Sequence, residues 1–555
     1  MRADLILTGG LVLPIAGPPI PGGAVATRAG RIVAVGRAEE VAAAVSANRV
    51  VRLDPRQSVV PGFIDSHQHL LSYVRSRTRL LLWDTVTLDT VLSRVRECTA
   101  RLPSGAWVIA AGHDQGRLAE RRHPSLAELD AAAPDHPVLI YRACSHIALA
   151  NSRALALAGV TDDTPDPSGG RLERRAGKLT GVLEESAIGL VSAAAQAAPI
   201  DWQTGLRDAA REYHRRGITS VGEAALGHVA GLRDLDVVRE ALAGGELGLR
   251  MYVMAYGPVL ERLLEDAEMS AAGDPLREGM HRPSAVGSQP SNLSPWSSDE
   301  WLRFGCAKLF VDGTLGGGTA WLTEDYGDEP GNRGYPVMPV EELRERVARA
   351  HRAGLQVAVH AIGDAAVEAV LDAYDQALTA RPRRDHRHRI EHVEVLHPGL
   401  PERFADLGVV AAVQSCFTYW EEGDVTRLGP GLAPWGHAWG ALRRAGVVVA
   451  NGSDNPVLPD FAPLQGIYAA VARRSHAGLS LAPHQAISVE DAIWSFTAGG
   501  AYAAFEEREK GALAPGMFAD LAVISGDLLD PDVERLRELQ VDMTLVGGRV
   551  VYERG

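Results

Sequence analysis

Cysteine is scarce: the 555-residue chain holds four, Cys98, Cys144, Cys306 and Cys416, and no two of them form a CxxC pair. That spacing offers no zinc knuckle, dithiol redox centre or disulfide scaffold, and reads as reduced thiols packed inside a cytoplasmic protein. Basic charge is also short. Lys and Arg number 56 against 70 Asp and Glu, a net charge of −14, so the basic face needed by a nucleic-acid or anionic-membrane partner is not expected. No apolar run of about 18 residues occurs, which argues against a transmembrane helix. The opening MRADLILTGGLVLP lacks the long apolar region and small-residue cleavage site of a signal peptide.

What is present is a soluble composition, 46% hydrophobic and 23% charged, on a chain long enough for about two to four structural units. Both ends alternate with period two around Gly-centred turns: LILTGGLVL, VATRAGRIVAVG and VVRLDPRQSVV at the front, DLAVISGD and MTLVGGRVVYE at the back. Neither end has enough strands alone, so residues 1–60 and 505–555 are expected to pair into one small β-sandwich domain. Between them, 61–504 alternates strands with helices, the signature of parallel βαβ units. FIDSH, TSVGEAAL, LRMYVMAY, CAKLFVDG, QVAVHAIG, HRIEHVEV, VVAAVQSCF and VVVANGSDNP make eight strands, the count of a (β/α)8 TIM barrel. About 75–215 is more than one connection needs and reads as an inserted α+β subdomain. The Pro-, Ser- and Gly-rich stretch around 268–298 reads as a lid or a disordered segment.

Barrel strands should be almost wholly apolar, because a buried ionisable group is costly unless paired or metal-bound. Yet His67 and His69 close strand one, Lys308 lies in strand four, His360 and His392 in strands five and six, and Asp454 follows strand eight. Residues two apart on a strand share a face, and all C-terminal strand ends meet at the mouth where active sites of this fold sit. Singly, each has a plainer use: a core histidine bonded to a carbonyl, a turn aspartate, a lysine paired to Asp312 or Glu324. Together they point to one metal site.

In this order the motifs FIDSHQH, KLFVDGTLGG, VAVHAIGD, RIEHVE and NGSDNPV resemble the amidohydrolase superfamily, and DGTLGGGTAWL with HAIGDAAV and GSDNPV resembles its YtcJ-like branch, which includes N-substituted formamide deformylases. The resemblance implies one or two divalent metals, zinc first, the more buried held by His67, His69 and Asp454, with His360 and His392 holding a second or sharing the first. It implies a CO2-derived carbamate on Lys308 as a bridge. It also implies a metal-activated hydroxide, with Asp454 moving the proton and His360 or His392 assisting, that hydrolyses an amide, N-formyl or N-acyl C–N bond of a small molecule. His113, Asp114 and His146 resemble branch segments that approach the barrel mouth, although the branch's usual Asp-Gly-His reads Cys144-Ser145-His146 here. Glu185 sits where relatives carry a glutamate. Trp321, Tyr326 and Trp420, just beyond barrel strands, are candidates for an apolar substrate wall. A deaminase on the same barrel is the alternative, disfavoured by Lys308 and by the lack of a glutamate soon after His360; a non-catalytic metal-binding protein is a third reading. A homodimer stays open.

Overall fold

The computed structural model describes residues 1–195, 200–245, 247–273, 299–420 and 426–555; the Pro-, Ser- and Gly-rich stretch from 274 to 298 lies outside them. Eight parallel strands form one sheet: β1 (Phe63–Gln68), β2 (Ile218–Leu226), β3 (Arg250–Ala255), β4 (Leu302–Phe310), β5 (Gln356–Ala361), β6 (Arg389–His392), β7 (Val410–Val413) and β8 (Val449–Asn451). Each pairs with its sequence neighbour in parallel register, as at Cys306↔Gln356 and His360↔Glu391. No ladder joins β8 to β1. The seam is closed instead by the Ser66 hydroxyl on the Asn451 carbonyl (2.8 Å) and by the Asp454 amide on the His67 carbonyl (2.8 Å).

β1, β3, β5 and β6 are buried at every position, the near-continuous burial that helices packed around a parallel sheet impose. Helices such as Val340–Arg352 and Asp364–Ala380 bring Leu343, Val347, Val367 and Val370 into the same core as Val357, Val359 and Ile390. The sequence reads VVAAVQSCF as one strand. In the structure β7 stops at Val413 and Ser415–Trp420 is helical, turned at its start by Asn451, whose side-chain oxygen accepts the Ser415 amide and hydroxyl.

The chain ends build two further sheets. Arg2–Thr8, Gly23–Arg28, Arg31–Arg37 and Ser46–Arg52 make one; Leu11–Val12 and Ser58–Pro61 join Leu521–Ile524, Val541–Val546 and Arg549–Glu553 in the other. Leu5, Val25 and Ile32 of the first sheet share a core with Val59, Leu521 and Leu545 of the second, so the two pack as a sandwich to which both termini contribute.

A six-stranded sheet lies between β1 and β2 in sequence, with a separate core on each face. Its central strands are Val108–His113, Val138–Arg142, Ile147–Ala150 and Lys178–Glu185. The run ALANSRALALAG has the composition of one continuous helix, but in the structure Ile147–Ala150 is a strand and only Ser152–Leu157 is helical. Asn151 makes the break, its side-chain oxygen accepting the amides of both Val138 and Ala154 while its amide nitrogen donates to the His136 carbonyl.

Candidate metal centre

His67 is fully buried at the end of β1, and its Nδ1 bonds the Glu391 carboxylate. Glu391 in turn receives Nε and Nη2 of Arg389, at 2.5 and 2.9 Å, while the same Nη2 donates to the Ser66 carbonyl at 2.9 Å. Burial pushes the Glu391 carboxyl up, but Arg389 and His67 outweigh it and hold the group well below the usual range. An ionised carboxylate on Nδ1 fixes the His67 proton there and turns the Nε2 lone pair outward, the arrangement that orients a metal-ligating histidine. That Nε2 is buried and without a hydrogen-bond partner among the described residues.

His392 is set the same way. Its Nδ1 lies 2.8 Å from Gln414 Oε1, an acceptor, so Nδ1 carries the proton and Nε2 the lone pair. Asp454 stands 3.4 Å from His67 Nε2 and 3.1 Å from His69 Nε2 through Oδ1, an oxygen that is also buried without a hydrogen-bond donor. One ligand atom each from His67, His392 and Asp454 lie within 4.8 Å of one another. Two imidazole lone pairs and a carboxylate, buried and orphaned around one point, fit a divalent cation such as zinc. Asp454 is placed by β1 itself: Asp65 accepts the Ser453 amide at 2.9 Å and its hydroxyl at 2.5 Å. Both His392 (φ 75°) and Asp454 (φ 56°) adopt left-handed backbone conformations, strain of the kind that collects where a site dictates geometry.

His69 and His360 stand at the edge of this group. The structure brings His392 rather than His69 into the tightest set with His67 and Asp454; His69 caps the following helix, with its ring 5.5 Å from that of His67. The His360 ring is 4.5 Å from that of His392, but its Nε2 points at the Gly313 carbonyl, 3.0 Å away, leaving Nδ1 as its lone pair. Lys308 is fully buried, and its Nζ has no hydrogen-bond partner among the described residues. Neither Asp312 nor Glu324 pairs with it: Asp312 is taken up by the amides of Trp321, Ile362 and Gly363. Burial pushes the Lys308 ammonium down to about 8, against the pull of Glu391 and Asp454.

The insertion brings His146 to this mouth. His146 stacks on His360 with ring centroids 5.1 Å apart, and its Nδ1 is 2.7 Å from Glu185 Oε2. Burial works against its charge, yet the Glu185 carboxylate lifts the imidazole to about 9. Glu185 ends a strand rather than starting a helix, at φ 53°, and also accepts the Thr319 hydroxyl at 2.9 Å. Ser145 beside His146 is left-handed too, at φ 62°, in the place where the branch pattern carries glycine.

The other sequence candidates lie farther out. His113 is buried at the end of its strand against His123, with Nε2 to Nδ1 at 3.0 Å, and Asp114 pairs with Arg142 at 3.1 Å; neither has a contact with the histidine group. Trp420 stacks on His476 and bonds Gln465, with Arg117 of the insertion over its ring. Tyr326 is buried in the loop layer with Leu315 and Ile362, its hydroxyl donating to the Ala320 carbonyl at 3.1 Å. Trp321 packs half-buried with its amide on Asp312. Sequence reasoning missed Glu391, Arg389, Gln414 and Asp65. The available signal was the pair Arg389 and Glu391 in a strand that had to be buried.

Known proteins resemble this chain along most of its length. The sequence profile of the amidohydrolase family matches residues 57–552. YtcJ of Bacillus subtilis (strain 168) is 31% identical over 505 residues, 89% of each chain. The N-substituted formamide deformylase of Arthrobacter pascens is 30% identical over 556 residues, 96% of this chain and 95% of its own. Among solved structures, an uncharacterized metal-dependent hydrolase from Pyrococcus horikoshii OT3 superposes with a TM-score of 0.70 at 24% identity, over 96% of this chain and 99% of that one. The profile spans the whole barrel and every residue of the histidine group, and this chain belongs to the amidohydrolase family.

Proposed function

We propose that the chain is a metal-dependent hydrolase that cleaves the amide, N-formyl or N-acyl C–N bond of a small molecule. The observation that carries this is the orphaned set His67 Nε2, His392 and Asp454 Oδ1, held within 4.8 Å and fixed from behind by Glu391 and Gln414. The likeness to a formamide deformylase along nearly its whole length supports the bond class. His67, His392 and Asp454 would hold a divalent metal, zinc first, which would supply an activated water with a pKa of about 7 and a Lewis acid for the carbonyl.

The chain's own groups do the rest. Asp454, buried beside both His67 and His69, is the carboxylate placed to take a proton from the attacking water and return it to the leaving nitrogen. His146, held by Glu185 over His360, presents Nε2 toward the same mouth and donates to the substrate's carbonyl oxygen as it gains charge. Lys308 is proposed to carry a carbamate. A buried amine with no hydrogen-bond partner among the described residues is an uncompensated polar group, and an anionic carbamate would convert it into a metal ligand that, with His360 and His392, would hold a second ion. His113, Asp114 and Trp420 are proposed to shape the outer substrate channel through the insertion.

A panel of N-formyl and N-acyl amines, assayed for carboxylate, amine and ammonia with metal-replete and chelator-stripped protein, tests the reading. Metal-dependent release of an acid and an amine is expected. Release of ammonia from amidine-like or ring compounds, with the amides untouched, would make the chain a deaminase instead.

A further inference from the structure

Arg75 and Arg79 lie one turn apart in the helix that begins at His69 and in the turn just beyond it. Neither guanidinium has a carboxylate partner among the described residues: Arg75 Nε is buried without a hydrogen bond, and the Arg79 guanidinium lies over the Tyr141 ring of the inserted sheet, 4.4 Å from its centroid. The acid nearest in effect, Asp234, is already spent on the amides of Gly227, Val229 and Ala230, at 2.9 to 3.0 Å. Burial pushes both arginines below the usual range, Arg79 to about 10 with Arg75 adding to the drop. Two adjacent half-buried cations with no paired carboxylate among the described residues are costly unless a further anion joins them.

Their surroundings lead to the metal centre. The loop that Asp234 ties down carries His228, which is exposed yet crowded by neighbouring groups. That crowding, with the charges of Arg75, His69, His146 and Arg79, pushes its imidazole down to about 3, so His228 adds a neutral polar group and no third cation. From His228 an aromatic wall runs inward: Tyr256 at 5.9 Å between centroids, Phe310 at 5.3 Å from Tyr256, and His360 at 5.2 Å from Phe310.

We propose that Arg75 and Arg79 form a carboxylate-binding subsite at the barrel mouth, so that the preferred substrates are N-acyl or N-formyl compounds whose far end carries a carboxylate. The bond to be cleaved lies at His67, His392 and Asp454, an apolar middle rests along Tyr256 and Phe310, and the terminal carboxylate reaches the guanidiniums, whose planar forks suit it. The proposal rests on the amide-hydrolase reading for the reaction, but the unpaired arginines stand independently of it.

The test compares 8-(formylamino)octanoic acid with 8-(formylamino)octanamide, in which an apolar chain separates the formamide from the terminal group and only that group's charge differs. The zinc-loaded protein should prefer the carboxylate by about ten- to a hundredfold in kcat/KM, the range a charge-assisted hydrogen bond provides. Titration calorimetry with the Asp454→Asn protein should show the same preference in binding. Arg75→Gln with Arg79→Gln should bring both ratios close to one at unchanged metal content, and should leave the thermal midpoint of the ligand-free protein level or higher, because an uncompensated charge has been removed. Equal binding of the two compounds, or of neither, overturns the subsite. So does a lowered midpoint, which would make the arginines structural. Preferred binding of the carboxylate with neither compound hydrolysed overturns the amide-hydrolase reading and leaves the subsite standing.

Discussion

Glu391 makes three polar contacts, two to Arg389 and one to His67, and so ties a buried cation to the orientation of a metal ligand. Replacing it with Gln keeps the shape and removes the charge. The expected cost is about 3–5 kcal/mol in stability, because Arg389 is left buried and uncompensated, together with a drop of about 10–100-fold in metal affinity. Urea unfolding reads the first and competition with a chromophoric chelator the second; an unchanged affinity would show that His67 needs no partner behind it. Asp454→Asn tests proton transfer instead. It keeps one oxygen beside His67 and His69 and should lower kcat by about 10²–10⁴-fold with metal largely retained, measured by turnover alongside metal analysis. At this scale the histidines were legible in the sequence because each is an ionisable group in an apolar strand. Glu391 obeys the same rule but sits two residues after Arg389 on the same strand face, and such a pair reads in sequence as a self-neutralising ion pair with no site attached.

Among the elements, the junction after β4 is tightly packed. A Cβ on Gly313 would come within 2.0 Å of Thr319 Oγ1 and 2.2 Å of Glu185 Oε1, the two atoms that fix the carboxylate under His146. Gly313→Ala should displace Glu185, cost about 1–3 kcal/mol in stability as an overpacking substitution, and lower turnover as strongly as Glu185→Gln does. Thermal unfolding and kcat of the two variants side by side check this; full activity in Gly313→Ala would detach Glu185 from the chemistry. The close approach also explains the glycine-rich GTLGGG run as backbone packed against the site. Elements read correctly where periodicity was unbroken, as in the eight strands, and incorrectly where a single polar side chain overrode local preference. Asn151 splits an apparent helix, and Asn451 turns the apparent end of β7 into a helix start, both through hydrogen bonds to residues far along the chain. Such long-range partners leave no local pattern.

Across the whole molecule, the returning chain end is locked to the barrel by a buried pair. Arg250 at the start of β3 bonds Asp520 through Nε (2.7 Å) and Nη2 (3.2 Å), and the guanidinium lies 3.6 Å from the Phe518 ring centroid. Asp520→Ala removes one partner and should lower stability by about 3–5 kcal/mol, seen as a lower unfolding midpoint in urea. Metal content at low denaturant should be preserved, since the pair holds the sandwich to the strand entry and not to the strand ends. Composition and alternation foretold a sandwich built from both termini, a barrel and an insertion. The family resemblance, and not composition or alternation, pointed His146 of the insertion toward the mouth; its stacking on His360 is set by the docking of two separately packed units.

The central claim is a divalent metal between His67, His392 and Asp454, and anomalous diffraction at the zinc edge from crystals of zinc-loaded protein tests it most directly. The account predicts a peak about 2.0–2.2 Å from His67 Nε2, the free nitrogen of His392 and an Asp454 oxygen, lost on chelation together with activity. A metal bound elsewhere, or full activity with no peak at these three residues, would contradict it.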